Sequence, residues 1–212
     1  MTDTLTADEI AALFTRADGE FLFARWGRPI VPVVFGTDDA TLGVIKGAVE
    51  AVVALSGHRM AETDPELGAN LMLFFLRDWE EVRAVPGLER LMPDLHPLVD
   101  RLIAGGANQY RIFRFDAGSA ICAAFVFLRM DEELSAVPAE DLALSQIVQT
   151  ILLWSDRAFA ERSPLGRTPM GHVVLRPDLG ALIRAGYDPV LPVMSREPAH
   201  ALRLAARLQS PS

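Results

Sequence analysis

Two stretches of this 212-residue chain offer no polar face. Leu71–Leu76 reads Leu-Met-Leu-Phe-Phe-Leu, and Ala120–Leu128 reads Ala-Ile-Cys-Ala-Ala-Phe-Val-Phe-Leu. Both fall far short of the ~20 residues that a membrane helix needs, so no membrane span is expected. A strand that is apolar throughout must be covered on both of its faces, and Leu71–Leu76 is therefore predicted as a buried strand. Tyr110–Phe115 sets Arg111 and Arg114 among bulky apolar residues, the pattern of a half-exposed strand. Asp116-Ala-Gly-Ser is a turn, and Ala120–Leu128 is predicted to return as the more buried partner of a hairpin.

The remaining segments fill in around those strands. Thr6–Arg16 reads as a short helix in which Thr6 and Glu9 form a capping box and Ile10, Leu13 and Phe14 make the apolar face. Ile30–Phe35 is a strand closed by Gly36. A helix capped by Thr37 or Asp38 then runs to Ser56-Gly57, with apolar positions at Leu42, Ile45, Val49, Val52 and Val53. Asp78 to Gly106 is helical but interrupted at Pro86, Pro93 and Pro97. The longest helix is predicted over Pro138–Glu161, with Ser163–Pro169 as a loop and Pro177–Arg184 and Pro198–Leu208 as closing helices. Early strands, a long helix and late helices give an α+β order, without the regular alternation of a doubly wound sheet. One domain suits this length.

Composition removes several classes of function. The net charge is −8 and Lys46 is the only lysine among 20 basic residues, so a phosphate backbone would be repelled and nucleic-acid binding is not expected. Cys122 stands alone, which rules out an internal disulfide and a thiolate zinc cage. Within its apolar run it is predicted to be buried and inert. His58, His96, His172 and His200 are scattered, with none paired at helical spacing. Asp38-Asp39 and Asp131-Glu-Glu133 are read as helix starts, and Ser163-Pro-Leu-Gly lacks the frame of a nucleophile elbow. Met1–Glu9 lacks the basic and apolar stretches of a secretory leader. That predicts a soluble, cytoplasmic chain as written; a leader ahead of Met1 would make it periplasmic or envelope-bound.

The long helix carries a resemblance. Metzincin-type zinc peptidases use H-E-x-x-H-x-x-G-x-x-H: two histidines one turn apart, a glutamate as general base, a glycine turn and a third histidine. Ser145-Gln-Ile-Val-Gln-Thr-Ile-Leu-Leu-Trp-Ser-Asp156 can be laid on that pattern without a gap. Ser145, Gln149 and Ser155 then stand at the histidines, Gln146 at the base and Leu152 at the glycine, while the final Asp156 is kept. Thr168-Pro-Met170 falls where a Met-turn would pass beneath the metal. Arg176–Asp188 is similar to the closing helix of that group and includes Tyr187. The chain also resembles a proteobacterial family, domain of unknown function 2927, which is zincin-like in outline. The carrying residues are Arg25-Trp26, Pro29-Ile30, Leu55-Ser-Gly57, Ala69-Asn70-Leu71, Tyr187-Asp-Pro189 and Met194-Ser195. The resemblance covers about residues 21–208. It implies a zincin-like α+β domain, its mixed sheet packed against a former active-site helix and its C-terminal part helical.

Hydroxyls and neutral amides are poor zinc ligands, so Ser145, Gln146, Gln149 and Ser155 are expected to form a degenerate site. It would hold no metal, no cofactor and no catalytic residue. Trp154, Asp156, Met170, His172 and Tyr187 are candidates for a surviving cleft. Trp154 either fills the space of a former substrate or belongs to the core. If Leu152 turns the chain as the glycine would, Ser155 comes round to Ser145 and Gln149; otherwise the helix continues through Trp154 and Asp156. The implied role is binding of a protein or peptide partner without catalysis. Two alternatives stay open: a hydrolase using a non-metal arrangement or a metal site built from His172 with carboxylates such as Asp156 and Asp178, and a structural subunit of a larger assembly.

Overall fold

Residues 4–209 are described by a computed structural model. A four-stranded mixed sheet runs in the order β2 (Pro32–Phe35), β3 (Leu71–Leu76), β5 (Ile121–Arg129) and β4 (Gln109–Phe115). The first three strands are parallel, and β4 lies antiparallel against β5 at the edge. The protein is α+β. Among the described residues no helix is long and apolar enough to cross a membrane.

The apolar runs occupy the two central strands because both faces of the sheet are covered. Leu71 and Leu73 of β3 and Ala124, Val126 and Leu128 of β5 face a core shared with α2 (Asp39–Ser56) and α7 (Ala139–Ile151). That core continues into α1 (Ala7–Phe14), α8 (Pro177–Gly186) and α9 (His200–Gln209). Phe74, Leu76, Ala123, Phe125 and Phe127 face the opposite side. There α3 (Glu80–Arg83), α4 (Leu88–Leu91) and α5 (Leu95–Ala104) cover them, three short helices in the segment that Pro86, Pro93 and Pro97 interrupt. Period-2 alternation of the side chains divides each run between two cores.

Local signals set the element ends. Thr6 Oγ1 accepts from the Glu9 N–H at 3.2 Å and Glu9 Oε2 accepts from the Thr6 N–H at 2.8 Å, completing the capping box. Asp38 accepts from the Thr41 N–H at 2.7 Å. Asp131 caps the short α6 (Glu132–Ser135) in the same way. Gly57 ends α2 with φ of 70°, the left-handed conformation that glycine adopts without strain.

The expected helix over Pro138–Glu161 is corrected: α7 stops at Ile151, and Leu152 is extended at φ −131°, ψ 159°. The helix neither runs on through Trp154 and Asp156 nor makes a left-handed turn. Its last carbonyls, which would accept from the next turn of helix, are taken by aromatic donors instead. Trp154 Nε1 donates to Val148 O at 2.8 Å, Trp26 Nε1 to Thr150 O at 2.9 Å, and the Tyr187 hydroxyl to Ile151 O at 2.7 Å. The amides freed after Ile151 find partners in the N-terminal part of the chain. Leu153 N–H donates to Ala24 O and Ser155 N–H to Leu13 O, each at 2.9 Å.

Two other expectations change, at residues 163–169 and at Cys122, and one further strand pair is present. Residues 163–169 are not wholly loop: β6 (Leu165–Arg167) pairs antiparallel with β7 (Val173–Leu175). The two-residue strands β1 (Phe23–Ala24) and β8 (Met194–Ser195) also pair, and neither has a strand signature in the sequence. Cys122 is half-buried rather than buried. It is the extra residue of a bulge, since Phe115 pairs with Ile121 while Arg114 pairs with Ala123. Partial burial still pushes its thiol pKa up. Native Cys122 is therefore expected to react with a thiol reagent at pH 7 more slowly than the denatured chain. Equal rates would show that the bulge exposes it fully.

Candidate functional site

Alternation along β4 sends Gln109, Arg111 and Phe113 to the side of the sheet where α7 lies, and Tyr110 and Ile112 to the other core. At the sheet edge, Gln146 of α7 meets the first two of these. Arg111 Nη2 donates to Gln146 Oε1 at 2.5 Å and to Gln109 Oε1 at 3.1 Å, and Gln146 Nε2 donates to Gln109 Oε1 at 3.0 Å. The three side chains form a closed ring of hydrogen bonds, with Gln146 only 2% exposed. One turn along the same helix, Gln149 Nε2 donates to Ser145 Oγ at 3.0 Å. Ser145–Gln149 thus lie in one helix beside the sheet edge.

Two hollows flank this contact. One, of about 710 Å³, is bounded by Gln109, Ser145, Gln146 and Gln149 on one side and by Ser163–Gly166 on the other. The second, of about 570 Å³, takes in Gln109, Arg111, Gln149, Trp154, Ser155 and Asp156. Gln109 and Gln149 border both. These volumes fall in the usual range for ligand pockets, roughly 300–1,000 Å³.

The electrostatics of the contact centre on Arg111. Among the described residues it has no carboxylate partner, its Nε is buried without a hydrogen bond, and burial alone lowers its pKa to about 10. It remains cationic at neutral pH. In the sequence Arg111 reads only as part of a half-exposed strand, and nothing there singles out Gln109.

The other predicted site residues disperse. Ser155 borders only the second hollow and Ser145 only the first, and the Ser155 hydroxyl accepts from the Arg157 N–H at 3.3 Å. Trp154 belongs largely to the core: its ring stacks on Phe14 at 5.2 Å between centroids, with one edge on the second hollow. Asp156 Oδ1 accepts from the Ala17 N–H at 3.1 Å. Met170 is 84% exposed in the turn between β6 and β7, and His172 is exposed beside it; neither borders these hollows. Tyr187 is buried beneath the end of α7, with the Arg25 guanidinium 5.5 Å from its ring centroid. Asp178 forms an ion pair with Arg176. Among the described residues no three His, Cys, Asp or Glu side chains converge as a metal site requires.

Compared with protein-family models, curated proteins and solved structures, the chain has no significant match in any of the three.

Proposed function

We propose that this chain is a non-catalytic protein of zincin-like architecture, related to domain of unknown function 2927, that binds a protein or peptide segment in extended form along β4. The observation that carries this reading is the arrangement of β4 and α7. The outer edge of β4 pairs with no other strand among the described residues, while Ser145, Gln146 and Gln149 of α7 stand beside it next to open hollows. An unpaired edge offers backbone donors and acceptors to an added strand, and adjacent hollows can select its side chains. The antiparallel edge strand next to the helix supports the zincin-like part of the reading.

The donor set supports the non-catalytic part. At the positions the resemblance assigns to zinc ligands and general base, the chain presents two hydroxyls and two neutral amides. None has the basicity for proton abstraction near neutral pH, nor the charge to replace the water shell of a divalent ion.

Display of a random peptide library on the folded protein tests the proposal. Capture of extended segments is expected, and Gln149→Trp, which puts bulk between the two hollows, should abolish it without lowering stability. Protein purified without chelator should carry far less than one zinc per chain. One zinc per chain with peptide hydrolysis would overturn the non-catalytic reading. Failure to capture any peptide would overturn the binding reading.

A further inference from the structure

Most arginines that leave the surface of this protein have an acid beside them. Arg28 meets Asp64 and Glu66, Arg83 meets Glu80 and Asp100, Arg129 meets Asp131, and Arg176 meets Asp178. Arg25 lies over the Tyr187 ring and donates to Leu191 O at 3.3 Å. Arg111 has only the oxygens of Gln109 and Gln146, both spent on a single nitrogen, Nη2. A guanidinium withdrawn from water without a counter-charge costs several kcal/mol, and such uncompensated charges concentrate at functional sites.

We infer that Arg111, held between Gln109 and Gln146 on the wall of the hollow beside α7, is the binding point for a carboxylate of the peptide partner. This rests on the peptide-binding reading above and names the chemistry of its anchor. The two glutamines fix the guanidinium plane through Nη2, so little rotamer freedom remains to be lost when an anion arrives. Nη1 makes no hydrogen bond to any described residue and is left to the ligand. The amide of Gln149 borders the same hollow and can donate to the second carboxylate oxygen.

The surroundings favour a single negative charge. Arg16, Asp18 and Asp156 are the other charged groups bordering this hollow. Asp156 and Asp18 are exposed, and each carboxylate already accepts from a backbone N–H, of Ala17 and Glu20 respectively. The two acids would repel a phosphate dianion more than a carboxylate, and Arg16 offsets only one of them. At neutral pH the lowered pKa of Arg111 still leaves it charged.

The test follows the Arg111 Nε–H signal in proton–nitrogen correlation spectra, assigned by its loss in Arg111→Lys. N-acetylglycine, N-acetylglycinamide and inorganic phosphate are the probes. A saturable shift is expected with N-acetylglycine, at least tenfold weaker binding with the amide, and weaker binding with phosphate. Gln146→Glu supplies an internal carboxylate to Arg111; it should abolish the response while the protein stays folded. Peptides captured by the folded protein are then compared as free acid against C-terminal amide, and with each internal Glu or Asp against Gln or Asn. A tenfold loss in one series identifies whether the anchor is the chain terminus or an acidic side chain. Peptides that bind equally in every form would overturn this inference and leave the peptide-binding reading intact. N-acetylglycine binding without capture of any peptide would sustain the carboxylate site and overturn the peptide reading. Phosphate binding as tight as that of N-acetylglycine would overturn the assignment to carboxylates.

Discussion

Trp26→Ala is expected to lower the unfolding free energy by about 4 kcal/mol, near the middle of the range for buried large-to-small aromatic changes. Trp26 is 1% exposed, beside the end of α7. Its truncation leaves a cavity and also frees Thr150 O, the carbonyl that the indole N–H caps at 2.9 Å. The Trp26 backbone N–H donates to the Tyr187 hydroxyl at 3.4 Å, and that hydroxyl caps Ile151 O. One side chain thus supports both the packing and the termination of the helix. Trp26→Phe separates these effects: it keeps most of the volume and loses the indole donor, so a cost of about 1–2 kcal/mol is expected. Urea unfolding followed by circular dichroism gives both values. A cost below about 1 kcal/mol for the alanine variant would mean that the helix end does not depend on this residue.

Several buried polar and aromatic residues outside α7 share in this arrangement. Trp26 and Tyr187 cap α7. Asn70 Oδ1 accepts from the Val31 N–H at 2.8 Å, and its amide donates to Pro29 O at 2.9 Å and to Asp64 at 3.0 Å. His58 Nε2 lies 2.8 Å from Arg28 O, with its ring 5.1 Å from that of Tyr187. These contacts fasten the segment before β2 to the sheet and to the helix end. They maintain scaffold geometry rather than supply a reacting group.

Legibility in the sequence follows the range of the interactions. The capping box at Thr6, the side-chain caps at Asp38 and Asp131, the αL glycine after α2 and the apolar central strands depend on neighbours within a few residues, and each can be read directly. The end of α7 cannot. Besides the nearby Trp154, its caps arrive from Trp26, 124 residues before Thr150, and from Tyr187, 36 residues after Ile151. Nothing inside Pro138–Glu161 forbids a longer helix. The paired short strands give no periodic signal at two or three residues each. The exposure of Cys122 is hidden because an apolar run does not disclose a bulge. Arg111 does leave a clue: Arg111 and Arg114 have opposite parity on one strand, so both cannot face solvent on the same side. One of them has to point toward the helix.

Acidification should destabilise this protein through His200 before most of its carboxylates titrate. The ring is 0% exposed, packs on Phe23 at 4.5 Å between centroids, and neither nitrogen has a hydrogen-bond partner among the described residues. Its pKa is lowered to about 4, chiefly by burial and in part by the Arg203 charge, with Glu197 acting in the opposite sense. The unfolded chain binds this proton near pH 6.5. The folded state binds it less readily, so the contribution to stability is complete above that pH and is lost as pH falls from 6.5 toward 4. At about 1.4 kcal/mol for each pH unit between those two values, the loss reaches at most about 3 kcal/mol by pH 4. His58, whose pKa burial also lowers, titrates in the same direction, and the capping carboxylates of Asp38 and Asp131 lose their contribution at lower pH. Subtracting the curve of His200→Leu isolates the one group. Leucine leaves no unpaired nitrogen in the core, so the variant should be at least as stable as the native chain at pH 7.5. The gap should then widen in its favour by about 2 kcal/mol or more as the pH falls to 4.5. Parallel curves would mean that the imidazole takes up its proton as easily folded as unfolded, and that some acceptor reaches it inside α9.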